Sequence, residues 1–313
     1  MTDITAAPAR SRMLSFAIGV AGGFLGLLPW LLTGLRLPLQ NLWATATMPD
    51  EMPLALLPVS QYYATQIFAL LLLGGVFAGL AVHIVGSRRA LAAWPAALGV
   101  MLLHVIAIVQ SFAVVGAGLR DGSDSTVYLV GLLGGAVASA LCAQLGFLMT
   151  SRRSVGVAAF GVALAAAPFA TWASTLIVAF TGEVFPPAFL PEFVRWLPGV
   201  VVGAALIWCG VRPFWRLVVW AVSLLALWIM PALFTAIMYS LGSRVMLGDF
   251  PEMLAASVQL FPMVLAEVWM PVIAAAVIGV VGTVVRMLVQ RSRAEAHASP
   301  AVADESARAG VPH

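Results

Sequence analysis

Residues 63–86 read YATQIFALLLLGGVFAGLAVHIVG, without a single Asp, Glu, Lys or Arg. A helix needs about 20 largely apolar residues to cross a ~30 Å hydrocarbon layer, and this run supplies them. Its apolar residues are continuous rather than alternating, which excludes a strand of a membrane barrel. Seven further stretches share this character: 13–32, 92–116, 127–149, 155–180, 196–211, 217–240 and 262–285. The fold class expected is therefore an all-α polytopic membrane protein, with about eight transmembrane helices arranged as four hairpins. The run at 196–211 is the shortest, so it would cross with little tilt or thin the bilayer locally. Residues 1–12 and 290–313 flank this transmembrane domain (13–289) as solvated tails. The C-terminal one, AEAHASPAVADESARAGVPH from Ala294, has the composition of a disordered segment.

Composition excludes a soluble alternative. Hydrophobic residues make up 62% of the 313, charged residues 9%, and mean hydropathy is +1.03. A soluble domain carries about a quarter charged residues, so this chain has too few to solvate its own surface. Two cysteines, Cys142 and Cys209, lie within apolar runs; neither a disulfide framework nor a cysteine-rich zinc site is expected.

Charge placement gives the direction of threading. All 16 basic residues are arginine. Twelve fall in the two tails and in alternate connections: Arg10, Arg12, Arg88, Arg89, Arg152, Arg153, Arg212, Arg216, Arg286, Arg291, Arg293 and Arg308. The other four, Arg36, Arg120, Arg195 and Arg244, fall in the opposite connections, together with eight acids. Positive charge is retained on the cytoplasmic side, so both termini are expected there, in a bacterial-type inner membrane. The basic face should attract anionic lipid head groups. Because the charge is sorted by side, the pI near 9.3 does not indicate nucleic-acid binding. The first apolar run is about as long as a full span and lacks a nearby small-residue cleavage site, so it reads as a retained helix.

Three of the outer connections carry a proline closely followed by acid: Pro49-Asp50-Glu51, Pro191-Glu192 and Pro251-Glu252. Proline suits a first helical turn, and acid there complements the helix dipole. Short amphipathic interfacial helices are expected in these outer loops, most clearly at 251–260. The recurrence also points to a duplicated hairpin unit whose copies share one orientation. Small residues four apart recur within the spans (Gly19/Gly23, Gly22/Gly26, Gly75/Gly79, Gly131/Gly135, Gly199/Gly203), and such pairs permit close helix approach or association between copies. A homo-oligomer or a partner membrane protein is thus a possible associate.

Polar positions within the spans are few. Glu267 is an acid inside the last span, where such residues usually face the protein interior with a partner and carry a proton or receive a cation. Thr235 and Tyr239 share a face of the preceding helix at what counting suggests is similar depth. His104 stands near mid-membrane, with Gln110 and Ser111 two turns along, as a polar file through the bilayer. Thr171, with Ser174 and Thr175, makes a small polar face on span five, and hydroxyls of this kind often satisfy their own helix. Pro29, Pro168, Pro231 and Pro271 can open their helices locally. No metal site is expected, since His104 and Cys142 have no further ligands at their level. No cofactor is expected, and no phosphate-binding G-x-x-x-x-G-K-[ST] stretch exists. These residues fit a transporter or permease for a small solute best, then a non-enzymatic subunit or scaffold of a cell-envelope complex, and least an intramembrane enzyme acting on a lipid-linked substrate.

Overall fold

The computed structural model describes residues 9–86, 91–181, 187–242 and 250–309, with side chains described as far as Arg293. Ten α-helices follow in order: α1 Ala9–Leu32, α2 Ala64–Gly86, α3 Ala93–Gly118, α4 Ser123–Thr150, α5 Val155–Leu164, α6 Ala166–Thr181, α7 Leu190–Cys209, α8 Arg216–Gly242, α9 Phe250–Glu267 and α10 Trp269–Ala309. Among the described residues no strand forms, and only two isolated bridges occur, Arg36 with Leu54 and Trp43 with Leu119. Among the described residues, seven helices are long and apolar enough to cross a membrane, as a multi-pass membrane protein requires. An eighth crossing results if α5 and α6, bent 54° at their junction, count as one.

That bend has a local cause. Pro168 has no N–H to give the carbonyl of Leu164, and its ring crowds that carbonyl, so the helix breaks at Ala165. Pro271 acts alike on the carbonyl of Glu267. The chain leaves the helix at Val268, and α10 restarts at Trp269. The continuous spans expected over 155–180 and 262–285 are therefore each interrupted, one at Ala165 and the other at Val268.

Glycine contacts fix how the helices pair. A Cβ on Gly19 would meet the backbone of Ala96, and one on Gly99 the backbone of Phe16 and Val20, so α1 and α3 run parallel in close contact. Gly75 faces Ala143 and Gly79 faces Phe147 and Thr150, pairing α2 with α4 in the same sense. Gly22 against Ala78 and Gly26 against Gly74 set α1 antiparallel to α2. In the second half, Gly199 meets Pro271, Gly203 meets Ile278, and Gly282 meets Ile207, a third parallel pair of α7 and α10. These small residues let backbones approach where lipid supplies no hydrophobic drive for association. Gly131 and Gly135 differ, because a Cβ at either would meet nothing within 4 Å.

With these directions, the described arginines Arg10, Arg12, Arg152, Arg153, Arg212, Arg216 and Arg286 gather at one end of the bundle, called here the proximal end. Two of them cap α7: Arg286 donates to the carbonyls of Ile207 (2.9 Å) and Trp208 (3.3 Å), and Arg216 to that of Cys209. Cations at a helix C-terminus also complement its dipole. Arg88, Arg89, Glu183, Arg244 and Asp249 lie outside the described residues.

The connections differ from expectation in four places. Pro49-Asp50-Glu51 starts no helix. The chain from Thr33 to Ser60 is instead irregular and extended, and Met52, Leu57 and Val59 are fully buried in the core. Pro191 and Glu192 do open a helix, but it is α7 itself, which makes the shortest span 20 residues long. Pro251 and Glu252 open α9, which at 18 residues is longer than the short helix expected and packs along α8: Ser240 bonds the Met253 carbonyl (2.9 Å) and Ser257 (2.7 Å), and Trp228 donates to the Leu265 carbonyl (2.9 Å). Finally, α10 continues as helix to Ala309, across residues expected to be disordered. The frequent alanines there favour helix and lower the cost of extending one already begun.

Gly75→Ala should therefore destabilise the bundle by about 1–3 kcal/mol through overpacking against Ala143. Gly131→Ala should leave it unchanged or gain up to about 1 kcal/mol of helix propensity. Thermal unfolding of the two purified variants, followed by size exclusion, tests the contrast.

Candidate functional site

A cavity of about 660 Å³ opens between α6, α7, α8 and the junction of α9 with α10, with Thr65 and Phe68 of α2 completing one wall. Four residues singled out from sequence line it: Thr171, Thr235, Tyr239 and Glu267. Its remaining wall is largely apolar, including Leu227, Phe234, Met238 and Leu260. Phe68 and Phe234 touch across it, their ring centroids 5.0 Å apart, joining α2 to α8.

The same wall contains a proline from each of four helices: Pro168 of α6, Pro198 of α7, Pro231 of α8 and Pro271 of α10. Each deprives the carbonyl four residues earlier of its helical donor. For three of them that earlier residue, Val194, Leu227 or Glu267, also lines the cavity. Both interrupted spans thus break beside one space, and it is bordered by backbone carbonyls without helical partners. The Thr235 hydroxyl donates to the Pro231 carbonyl at 2.8 Å, one turn back on its own helix, and so leaves the loss at Leu227 as it is.

Registers between helices give the heights. The pairs 240/253 and 236/257 run antiparallel, which places Glu267 level with Ala226, close to the midpoint of α8. At 1.5 Å per residue, Thr235 lies about 13 Å and Tyr239 about 20 Å farther toward the distal end. Sequence counting had set the three at similar depth, because it took 251–260 to lie outside the span. Glu267 also departs from the expected buried, partnered acid. It is exposed within the protein, and among the described residues its carboxylate has no hydrogen-bond or ion-pair partner. The helix break at Val268 adjoins it, for Glu267 is the last residue of α9.

Arg195 is the residue that sequence reading missed. It was sorted into a loop because the span was drawn from 196. Had Pro191-Glu192 been taken as the helix start, Arg195 would have fallen in the second turn of α7, where the structure places it in the cavity wall. Its guanidinium lies 3.7 Å from Glu192 and 5.6 Å from the Trp196 ring centroid.

His104, Gln110 and Ser111 are not part of this space. His104 is fully buried where α1, α2 and α3 meet, its Nε2 against Gly74, and among the described residues neither ring nitrogen has a partner. Gln110 and Ser111 hold the extended 54–57 backbone. The Gln110 carboxamide accepts from Leu56 N–H (2.8 Å) and donates to the Leu54 carbonyl (3.0 Å), while Ser111 accepts from Leu57 N–H (2.8 Å). Trp30 adds a bond to Ala55 (2.8 Å), and Gln40, itself held by Tyr128, a bond to Val59 (2.8 Å). Irregular backbone inside a membrane bundle is tolerated when neighbouring side chains satisfy it in this way. Ser174 and Thr175 both return their hydroxyls to the Thr171 carbonyl, as hydroxyls on such a face often do. His83 bonds the Arg152 carbonyl (2.7 Å) and packs edge-on against Trp208. No group of three or more metal-ligating side chains occurs among the described residues.

Compared with protein-family models, curated proteins and solved structures, the chain matches none of them.

Ser111→Ala should free the inserted segment, because a buried Leu57 N–H left without an acceptor costs about 1–3 kcal/mol. A thiol reporter at Val59 (Val59→Cys, with Cys142 and Cys209 replaced by Ala) should label about tenfold faster in that background. Ser111→Thr should restore slow labelling.

Proposed function

We propose that this chain is a transporter or permease-type protein of a bacterial-type cell membrane. In this reading it moves a small solute by way of the cavity at the four prolines, with both termini on the cytoplasmic side. The observation that carries the reading is the convergence of two helix breaks, at Ala165 and at Val268, on one space. Membrane helices that break near the midplane present free carbonyls and helix ends to a substrate or ion, a recurrent way of building transport sites. A carboxylate without a partner among the described residues, Glu267, lies at the end of α9. Hydroxyls of Thr171 and Thr235 add weak, exchangeable contacts, suited to a ligand that must also leave. The sidedness rests on the twelve-to-four division of arginines. Coupling to nucleotide hydrolysis would require a separate ATPase, because no phosphate-binding loop is present in the sequence.

The scaffold reading draws on a different place. Gly131, Gly134 and Gly135 on α4 meet no neighbour, whereas most of the other paired glycines in the spans contact a facing helix. It predicts a stable partner protein after gentle detergent extraction.

The test is flux. The full-length protein in proteoliposomes, loaded with a mixed panel of small metabolites, should release at least one of them faster than protein-free vesicles. Glu267→Gln should reduce that flux at least about tenfold, the loss expected from removing one charged contact, while inserting and eluting as the parent does. Undiminished flux in the variant would remove the site; no flux from any panel member, together with a tightly held partner, would favour the scaffold.

A further inference from the structure

Two opposite charges share the cavity without meeting. Along the parallel pair α7 and α10, Gly199 lies against Pro271, an offset of 72 residues. The same offset sets Arg195 level with Glu267, and both line the cavity. Yet the one ion pair recorded among the described residues joins Arg195 to Glu192, its neighbour one turn earlier, at 3.7 Å with both side chains about half exposed or more (48% and 66%). Exposed pairs of this kind are weak, so Glu192 yields readily to another acid. Among the described residues Glu267 has no partner, and its carboxylate lies at the joint where α9 ends and α10 begins. The unpartnered carbonyl of Glu267, created by Pro271, adds an acceptor beside it. The wall that the two charges share is largely apolar and includes Leu227, Val268 and the prolines.

From this juxtaposition we propose that the cavity binds a zwitterion, a compact ligand whose ammonium group lies at Glu267 and whose acid group lies at Arg195, with an apolar body between them. The assignment deepens the transport reading by naming its substrate class. An ammonium can donate to both the Glu267 carboxylate and the neighbouring carbonyl, and a planar or tetrahedral acid suits the guanidinium fork. A ligand with only one of the two charges would leave the other side chain without a counter-charge, and this loss is the source of selectivity. Two sources carry such chemistry: a free amino acid, and the ethanolamine-phosphate head group of a lipid reaching in from the side.

The experiment uses the full chain in nanodiscs and reads thermal stability and binding. L-leucine tests the free amino acid, with leucinamide keeping only the cation and N-acetyl-leucine only the anion. Discs of phosphatidylethanolamine against phosphatidylglycerol test the head group. Leucine should stabilise the protein and bind at least about tenfold more tightly than either derivative. In Arg195→Gln the advantage over leucinamide should vanish, and in Glu267→Gln the advantage over N-acetyl-leucine should vanish, a crossed pattern that mere misfolding does not produce. Stabilisation by phosphatidylethanolamine alone, lost in the same two variants, would assign the head group instead and equally support the zwitterion. Equal binding of leucine and its derivatives, or no response to either leucine or phosphatidylethanolamine, would overturn it. Flux of a singly charged or neutral solute that depends on Glu267 would also overturn the zwitterion while leaving transport standing. Crossed binding without any flux would do the reverse.

Discussion

Backbone amides surrounded by hydrocarbon must find partners within the protein, and this one demand organises the molecule. Over most of its length the chain meets it by continuous helix. It departs from helix inside the bundle in two ways, and each departure is tied to named residues. In the first half, the extended segment 52–60 is buried apart from Pro53, Leu54 and Leu56, and the side chains of Trp30, Gln40, Gln110 and Ser111 take up its amides and carbonyls. In the second half, prolines remove donors from Leu164, Val194, Leu227 and Glu267, and the cavity lies beside three of those four residues. Polar backbone that is satisfied becomes structure; polar backbone that is left available is what the proposed function assigns to a ligand.

Close glycine contacts decide where the helices can adjust around that space. In the first half, α1, α2, α3 and α4 meet backbone to backbone at Gly19, Gly26, Gly75 and Gly99, and little can shift without collision. The cavity draws only Thr65 and Phe68 from this half. In the second half, the α7–α10 pair is tight between Gly199 and Gly282, while α9 attaches to α8 through Ser240, Ser257 and Trp228. The break at Val268 separates these two modes of attachment. Half-helix α9 is thus joined to one neighbour and α10 to another, with the Glu267 carboxylate at the joint.

Much of this was legible before any coordinates. Long apolar runs and the alternation of arginines located the helices, because both signals follow from bulk partition and need no tertiary information. Four of the seven polar residues chosen from sequence, Thr171, Thr235, Tyr239 and Glu267, do line one cavity. What could not be read was the register. Whether Pro251 starts an interfacial helix or a half-span along α8 depends on how Ser240 meets Ser257, a contact between residues on different helices. Gln110 and Ser111 misled for a related reason. Polar side chains inside a span look alike whether they serve a solute or a neighbouring loop, and nothing local in Met52-Pro53-Leu54-Ala55 announces that this loop folds inward. Arg195 was lost through a boundary drawn six residues late, so its charge was counted for orientation and then set aside.

His104 tests how far the governing demand reaches. A histidine with neither nitrogen bonded, wholly enclosed among Gly23, Gly74 and their helices, is costly unless something offsets it. Its ring occupies the room left where Gly74 lacks a side chain, so packing supplies part of the compensation. The helices there approach too closely for a cavity, and the other polar groups of α3 are committed to the inserted loop. The first half therefore has a polar residue with no space around it, and the second has a space with polar residues around it. The proposed transport reading uses the latter arrangement, because a ligand needs room as well as polar contacts, and it therefore rests on the four prolines and Glu267.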